Sequence, residues 1–254
     1  MLSSKLLSSE PSSFEKERNS ARNALDILYE DEWFAVINKA ANFLSVPGKG
    51  ADKQDCVIHR AVALLDEAYT VHRLDYATSG LLLIAKQMDT QRRLSEQFQQ
   101  RSIKKEYRAI VQGHIKGSHG QICKPLICDW PNRPKQIVHM EWGKTAITQW
   151  QCLAHETTPN GKAQSRLALY PVTGRSHQLR VHMQSIHHAI IGDEFYQLDY
   201  VNNEKDDENN KKRNKKDTHS KKDTADRLLL HAYRLEFSHP VTKAWVTFIA
   251  PCPF

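Results

Sequence analysis

The chain has 254 residues, enough for one large domain or two small ones, and its 36 Lys plus Arg against 29 Asp plus Glu leave a net charge of +7, a balance that favours a polyanionic partner such as nucleic acid. Five cysteines, at 56, 123, 128, 152 and 252, show no paired spacing, and no C-x-x-C or H-E-x-x-H motif occurs, which argues against a disulfide framework and a zinc site. No run approaches the roughly 18 apolar residues of a membrane span, so the expectation is a soluble protein of a reducing, cytoplasmic compartment.

Residues 1–25, opening MLSSKLLSSEPSSFEKERNS, lack the continuous apolar centre of a secretory signal and carry acids that a transit peptide avoids, so they read as a disordered lead. From residue 26, DILYEDEWFAVINKAANFLSVPG gives two apolar runs split by Asp31 and Glu32, a hairpin followed by a loop closed by Pro47 and Gly48,. CVIHRAVALLDEA predicts a short helix with Val57, Ala61, Leu64 and Leu65 on one face,. After VHRLDYATSG, residues 80–86 read as a buried strand. MDTQRRLSEQFQQRS predicts a helix capped at Asp89 with Leu94 and Phe98 one turn apart, and KKEYRAIVQGHI returns to strand character,.

The second half repeats the strand habit in TAITQWQCLAHE, AQSRLALYPVTG, RLLLHAYRLEFSHP and AWVTFIAP. One helix is predicted among them, over 174–188, with Arg175 at the positive end of its dipole. Strands with a few helices and no regular βα alternation predict an α+β fold on a mixed, mostly antiparallel sheet. Residues 201–227 are almost wholly polar, with nine Lys and Arg against seven acids; such a segment cannot bury enough apolar surface to order itself and reads as a disordered insertion. The rest of the chain keeps a net charge of +5 without it.

Asp75, beside His72 and Arg73 and just before the buried strand, reads alone as a turn residue with a local ion pair. Its company changes that reading. KKEY ending at Tyr107, TGRSHQLRVH over 173–182 and LLLHA over 228–232 each put polar groups at the edge of an apolar element, where clefts form. In this order and spacing HRLDYATSG, KKEY, GRSHQLRVHM and LLLHA resemble the RluA family of RNA pseudouridine synthases over about residues 26–254 apart from the insertion, and LICDWPNRPKQ at 126–136 resembles its dual-specificity members.

The resemblance implies the pseudouridine synthase fold, a long bent mixed sheet with flanking helices and a central cleft, as one catalytic domain over 26–254. It implies isomerisation of uridine in RNA, with 23S ribosomal RNA and transfer RNA anticodon stem-loops as partners, no cofactor and no metal. Asp75 is then the catalytic carboxylate at the sugar, where C1' gains positive charge as its bond to N1 breaks; attack on C1' and removal of a C2' proton both remain open. Arg175 is expected as its cation partner, Tyr107 as the ring against the uracil with its hydroxyl near the C5 proton, and Leu230 as an apolar floor. Arg73 is expected to enter the space left by the extruded base, and His72 is placed with these substrate-side residues, its alternative being structural. His177 and His182, five apart on the predicted helix, read as structural. Arg92, Arg93, Arg133, Lys135 and the 211–222 run read either as phosphate contacts or as solvated charge. A monomer is expected. The alternatives are a family member acting at another RNA site and a non-catalytic RNA-binding or annealing protein.

Overall fold

The structure of the chain, a computed structural model, describes residues 25–197 and 225–254. The predicted lead and insertion therefore lie outside the described residues except at their edges, and those edges are ordered. Leu25 is buried in the apolar core, and the Arg227 side chain bonds the Ser79 hydroxyl.

Two strands, β1 (Asp26–Glu30) and β2 (Phe34–Lys39), form the expected hairpin. The helix α1 (Val57–Leu65) buries Val57, Ala61 and Leu64, the spacing that its sequence predicts,. A two-residue strand β3 (Tyr69–Thr70) follows, then β4 (Ser79–Ala85), buried at every position. The next helix, α2 (Met88–Gln99), buries Leu94. Its N-cap is Gln87, not Asp89, which lies inside the first turn and pairs with Arg93 at 2.7 Å; the acid still suits the positive helix end without capping it.

Beyond α2 the chain is mostly strand: β5 (Lys104–Gln112), β6 (His119–Cys123), a ribbon of β7 (Leu126–Cys128) and β8 (Gln136–Val138), β9 (Ile147–Thr157), β10 (Ala163–Pro171), β11 (Leu230–Ser238) and β12 (Trp245–Ile249). Ten strands make one sheet in the order β1-β2-β4-β11-β5-β10-β9-β6, with β3 on β4 and β12 on β11, while β7 and β8 pair separately. Among the described strands only β4 and β11 run parallel, so the sheet is mixed and mostly antiparallel, as expected. The predicted helix over 174–188 is shorter: α3 spans Gln178–Gln184 and starts after His177, whose φ of 52° is left-handed. That conformation keeps Arg175 and His177 in the preceding loop, outside the helix.

The parallel seam fixes the middle of the sheet. β4 and β11 share two register pairs, His231 with Ser79 and Ala232 with Gly80. Gly80 has a φ of 107°, and a Cβ there would lie 2.3 Å from the Ala232 carbonyl oxygen, so only glycine allows this approach. Apolar cores lie on either side, one built on β2, β4 and α1, the other on β5, β10 and α3, and Tyr107 packs against both. The segment that carries Asp75 enters β4 at this junction.

Candidate active site

Asp75 sits in a turn whose two flanks are tied down. Before it, the Leu74 N–H donates to the Ser45 hydroxyl oxygen at 3.1 Å, and that hydroxyl donates to the Leu74 carbonyl at 2.9 Å. After it, the Tyr76 carbonyl accepts from the Lys39 ammonium at 3.1 Å, and the same ammonium reaches the carbonyls of Ala40 and Phe43 at 2.8 and 2.7 Å. Lys39 is 1% exposed, and burial pushes its pKa down to about 7 against the opposing pull of Asp75,. Its three donors meet three acceptors, so this buried cation is fully bonded. The turn is thus fixed to the end of β2 from both sides, and Thr78 N–H closes it on the Asp75 carbonyl at 3.1 Å.

The Asp75 carboxylate is 28% exposed and faces the guanidinium of Arg180 at 3.5 Å. Arg180 is only 4% exposed, and its other edge is held by Asp193, Nε to Oδ2 at 2.7 Å and Nη2 to Oδ1 at 2.8 Å. This is the planar two-point pairing that guanidinium makes best. Asp193 itself is fully buried and also accepts the N–H groups of Phe195 and Tyr196 at 2.9 and 3.1 Å. One arginine therefore serves two carboxylates, tightly clamped to the buried one and loosely against the accessible one.

The expected pairing of Asp75 with Arg175 is corrected by this geometry. Arg175 Nε donates to the Thr145 carbonyl at 3.1 Å, and its backbone N–H donates to the Gln178 side-chain oxygen at 3.0 Å. The reason is the loop before α3. Gln178, buried, also accepts from Thr173 and donates to Ile147 and Thr148, so residues 173–177 form a bonded loop and the first helical turn swings Arg180 inward. Arg175 still lines the site from its rim.

A cavity of about 550 Å³ collects these groups: Asp75, Tyr107, Arg180, Leu230 and His177 among its walls, with Arg73 and Arg175 at its edge. It adjoins a wider groove of about 1160 Å³ that shares Arg73, Asp75, Tyr107 and Arg175. Tyr107 enters it from β5, next but one to Lys105 on the same strand face,. Burial first and the Asp75 charge second raise the Tyr107 pKa well above that of a free phenol, so its hydroxyl is protonated near neutral pH. Leu230, the first residue of β11, is buried against the second core.

Residues 33–185, more than half of the chain, match the model of RNA pseudouridylate synthases. The chain belongs to this family. The dual-specificity RNA pseudouridine synthases RluA of Pasteurella multocida and of Escherichia coli K12 are each 40% identical to it over 230 residues, 91% of this chain and 94% of each relative. In fold, the synthase resembles the human protein RNA Pseudouridylate Synthase Domain Containing 1, with a TM-score of 0.68 and 25% identity over 97% of this chain and 87% of that one.

Within this synthase, Asp75, Tyr107, Leu230, Arg73 and Arg175 line one cavity. His72 is a correction. It forms part of the wall of the wider groove, but its Nε2 accepts the Leu83 N–H at 3.1 Å and its ring stacks on Phe98 at 4.5 Å. Burial holds its pKa down at about 3, so it is a neutral, structural ring. His182 is likewise structural, bonded to Thr148 and to the Lys124 carbonyl. His177 is not on the helix; it lines the cavity, stacks on Phe195 and bonds the Tyr196 hydroxyl at 2.7 Å. Arg180, Asp193, Lys39 and Ser45 complete the site without having been singled out in the sequence. The one readable signal was Arg180, the second arginine of GRSHQLR.

Proposed function

We propose that this synthase isomerises loop uridines in 23S ribosomal RNA and in transfer RNA anticodon stem-loops, acting as a cytoplasmic monomer. The observation that carries the reading is a positioned carboxylate: Asp75 opens on the cavity with one guanidinium edge 3.5 Å away and the Tyr107 ring on the same wall. The dual-specificity names of the relatives support the choice of two RNA classes.

A uridine turned out of its stack, which costs a few kcal/mol and least in a loop, presents its sugar to Asp75. The N1–C1' bond breaks with its electron pair going to uracil, Asp75 takes up the charge deficit by bonding C1' or by removing a C2' proton, the base turns, and C5 bonds to C1' as the Asp75–C1' bond breaks or as the proton returns to C2'. The C5 proton then leaves and N1 gains one, so the product is an isomer and no oxidant or reductant is consumed. The Arg180 guanidinium, 3.5 Å from the carboxylate and fixed on its other edge by Asp193, sets a positive charge beside the acid. The Tyr107 ring lies against the uracil, with its hydroxyl toward the C5 proton. Leu230 supports the base from below, and Arg73, exposed at the rim two residues before Asp75, takes the vacated position in the RNA.

The test is tritium release from 5-labelled uridine in a 23S-derived stem-loop and in an anticodon stem-loop. Wild-type protein is expected to release label from both and Asp75→Asn from neither; no release from either by the wild type would sink the reading.

A further inference from the structure

The ribbon beside the cavity exposes what a folded protein ordinarily hides. Trp130 lies at its tip with 64% of its surface exposed. The guanidinium carbon of Arg133 sits 3.6 Å from the centre of its ring, covering one side and adding positive charge there. Arg133 is itself exposed and Lys135 follows two residues later. An exposed indole backed by a cation is a surface on which a nucleobase can stack while its phosphates meet positive charge.

The tip is also joined to the cavity wall. The Gln136 N–H donates to the Tyr196 hydroxyl at 2.8 Å, and that hydroxyl bonds His177 Nδ1 at 2.7 Å. The Lys135 ammonium lies 6.0 Å from the Phe195 ring, on which His177 stacks. Gln136 pairs with Cys128, two residues before Trp130. The ribbon is therefore a short arm braced on the group of side chains that walls the cavity, with its aromatic face free and its charge suited to a polyanion.

We infer that Trp130, backed by Arg133, is a stacking platform for an unpaired base of the substrate RNA outside the nucleotide that enters the cavity. The inference rests on the RNA reading above and adds a second grip, which holds the flanking strand while the target base is withdrawn. Stacking tolerates any base, so this contact contributes affinity and positioning and little sequence choice.

The test measures affinity for the same two stem-loops by anisotropy of end-labelled RNA. Trp130→Ala is expected to weaken binding about tenfold or more, with Trp130→Phe close to wild type, because a smaller ring still stacks. RNAs carrying a single abasic nucleotide at successive positions around the target identify the partner base: one of them is expected to bind wild type as weakly as intact RNA binds Trp130→Ala, with no further loss when the two changes are combined. Affinity of Trp130→Ala within twofold of wild type for both RNAs would overturn the platform and leave the tip to a protein partner. Tritium release separates this result from the functional reading: release with unchanged Trp130→Ala affinity sinks the platform alone, whereas lost affinity without release in the wild type sinks the isomerase and leaves the platform standing.

Discussion

Arg180 and Arg175 lie five residues apart in one motif and occupy opposite physical regimes. Arg180 is in the interior, with two carboxylates against one guanidinium and almost no contact with water. Arg175 is on the rim, where its guanidinium meets a backbone carbonyl and no carboxylate within ion-pair distance among the described residues. A buried charge cannot be left unmatched, so its partners are strictly determined and their loss is costly. A rim charge keeps its hydration and can exchange partners with solvent or substrate. The interior set therefore fixes the geometry of Asp75, and on the reading proposed above the rim is where RNA is met.

The largest expected effect comes from breaking the interior set. Arg180→Ala leaves Asp193 buried and uncompensated and is expected to cost about 3–5 kcal/mol of stability and to lower turnover by about 10²-fold or more, read by urea unfolding and by single-turnover tritium release. The double change Arg180→Leu with Asp193→Leu removes both charges and is expected to recover much of the stability but none of the activity. If it recovers both, Arg180 is a structural ion and takes no part in readying Asp75.

Tyr107→Phe comes next. It keeps the ring and removes only the hydroxyl, and the expected result is a loss of about 10² in turnover with RNA affinity unchanged. Turnover near wild type would confine Tyr107 to stacking and remove it from the proton step.

These two residues also show how far the sequence could be read. Asp75, Tyr107 and Leu230 stand at strand edges inside distinctive strings, and their convergence was legible, as was the mixed sheet from the alternation of its long strands. The partner of Asp75 was not. GRSHQLR offers two arginines, and choosing between them needs the left-handed backbone at His177, which delays the helix and turns the second arginine inward. Asp193 and Lys39 left no local signal, because a charge becomes essential to an interior through contacts made far along the chain. Residues 116–144 offered a motif at 126–136 but no element, since strands of three to five residues such as β6, β7 and β8 are too short for periodicity to register,.

Acid should expose the interior further. His231, 1% exposed in β11, is bonded between the Ser79 hydroxyl and the Ala250 carbonyl, and burial lowers its pKa to about 4. An unfolded histidine titrates near 6.5. Above that pH both states are neutral and His231 adds no pH dependence; as pH falls from about 6.5 toward 4 the unfolded chain takes up a proton that the folded one refuses. Stability should then fall by up to about 1.4 kcal/mol per pH unit for this group, with His72 acting in the same direction. Unfolding midpoints at pH 7.5, 6 and 5 measure the slope, and a flat profile would mean that His231 is charged in the native state.

The smallest effect is expected at Arg175, and it is the result that most sharpens the contrast with Arg180. Arg175→Ala removes the side-chain bond to the Thr145 carbonyl but keeps the backbone N–H bond to Gln178, so the loop before α3 stays closed. If, as proposed, Arg175 meets RNA through one hydrogen bond at the mouth of the cavity, its loss costs about 1 kcal/mol, about fivefold, and should appear in KM with kcat little changed. Were Arg175 instead the cation that readies Asp75, the same substitution would depress kcat by orders of magnitude at saturating RNA. Measuring kcat and KM for Arg175→Ala beside Arg180→Lys, which keeps the charge but cannot pair at two points with Asp193, therefore decides which of the two arginines the chemistry depends on.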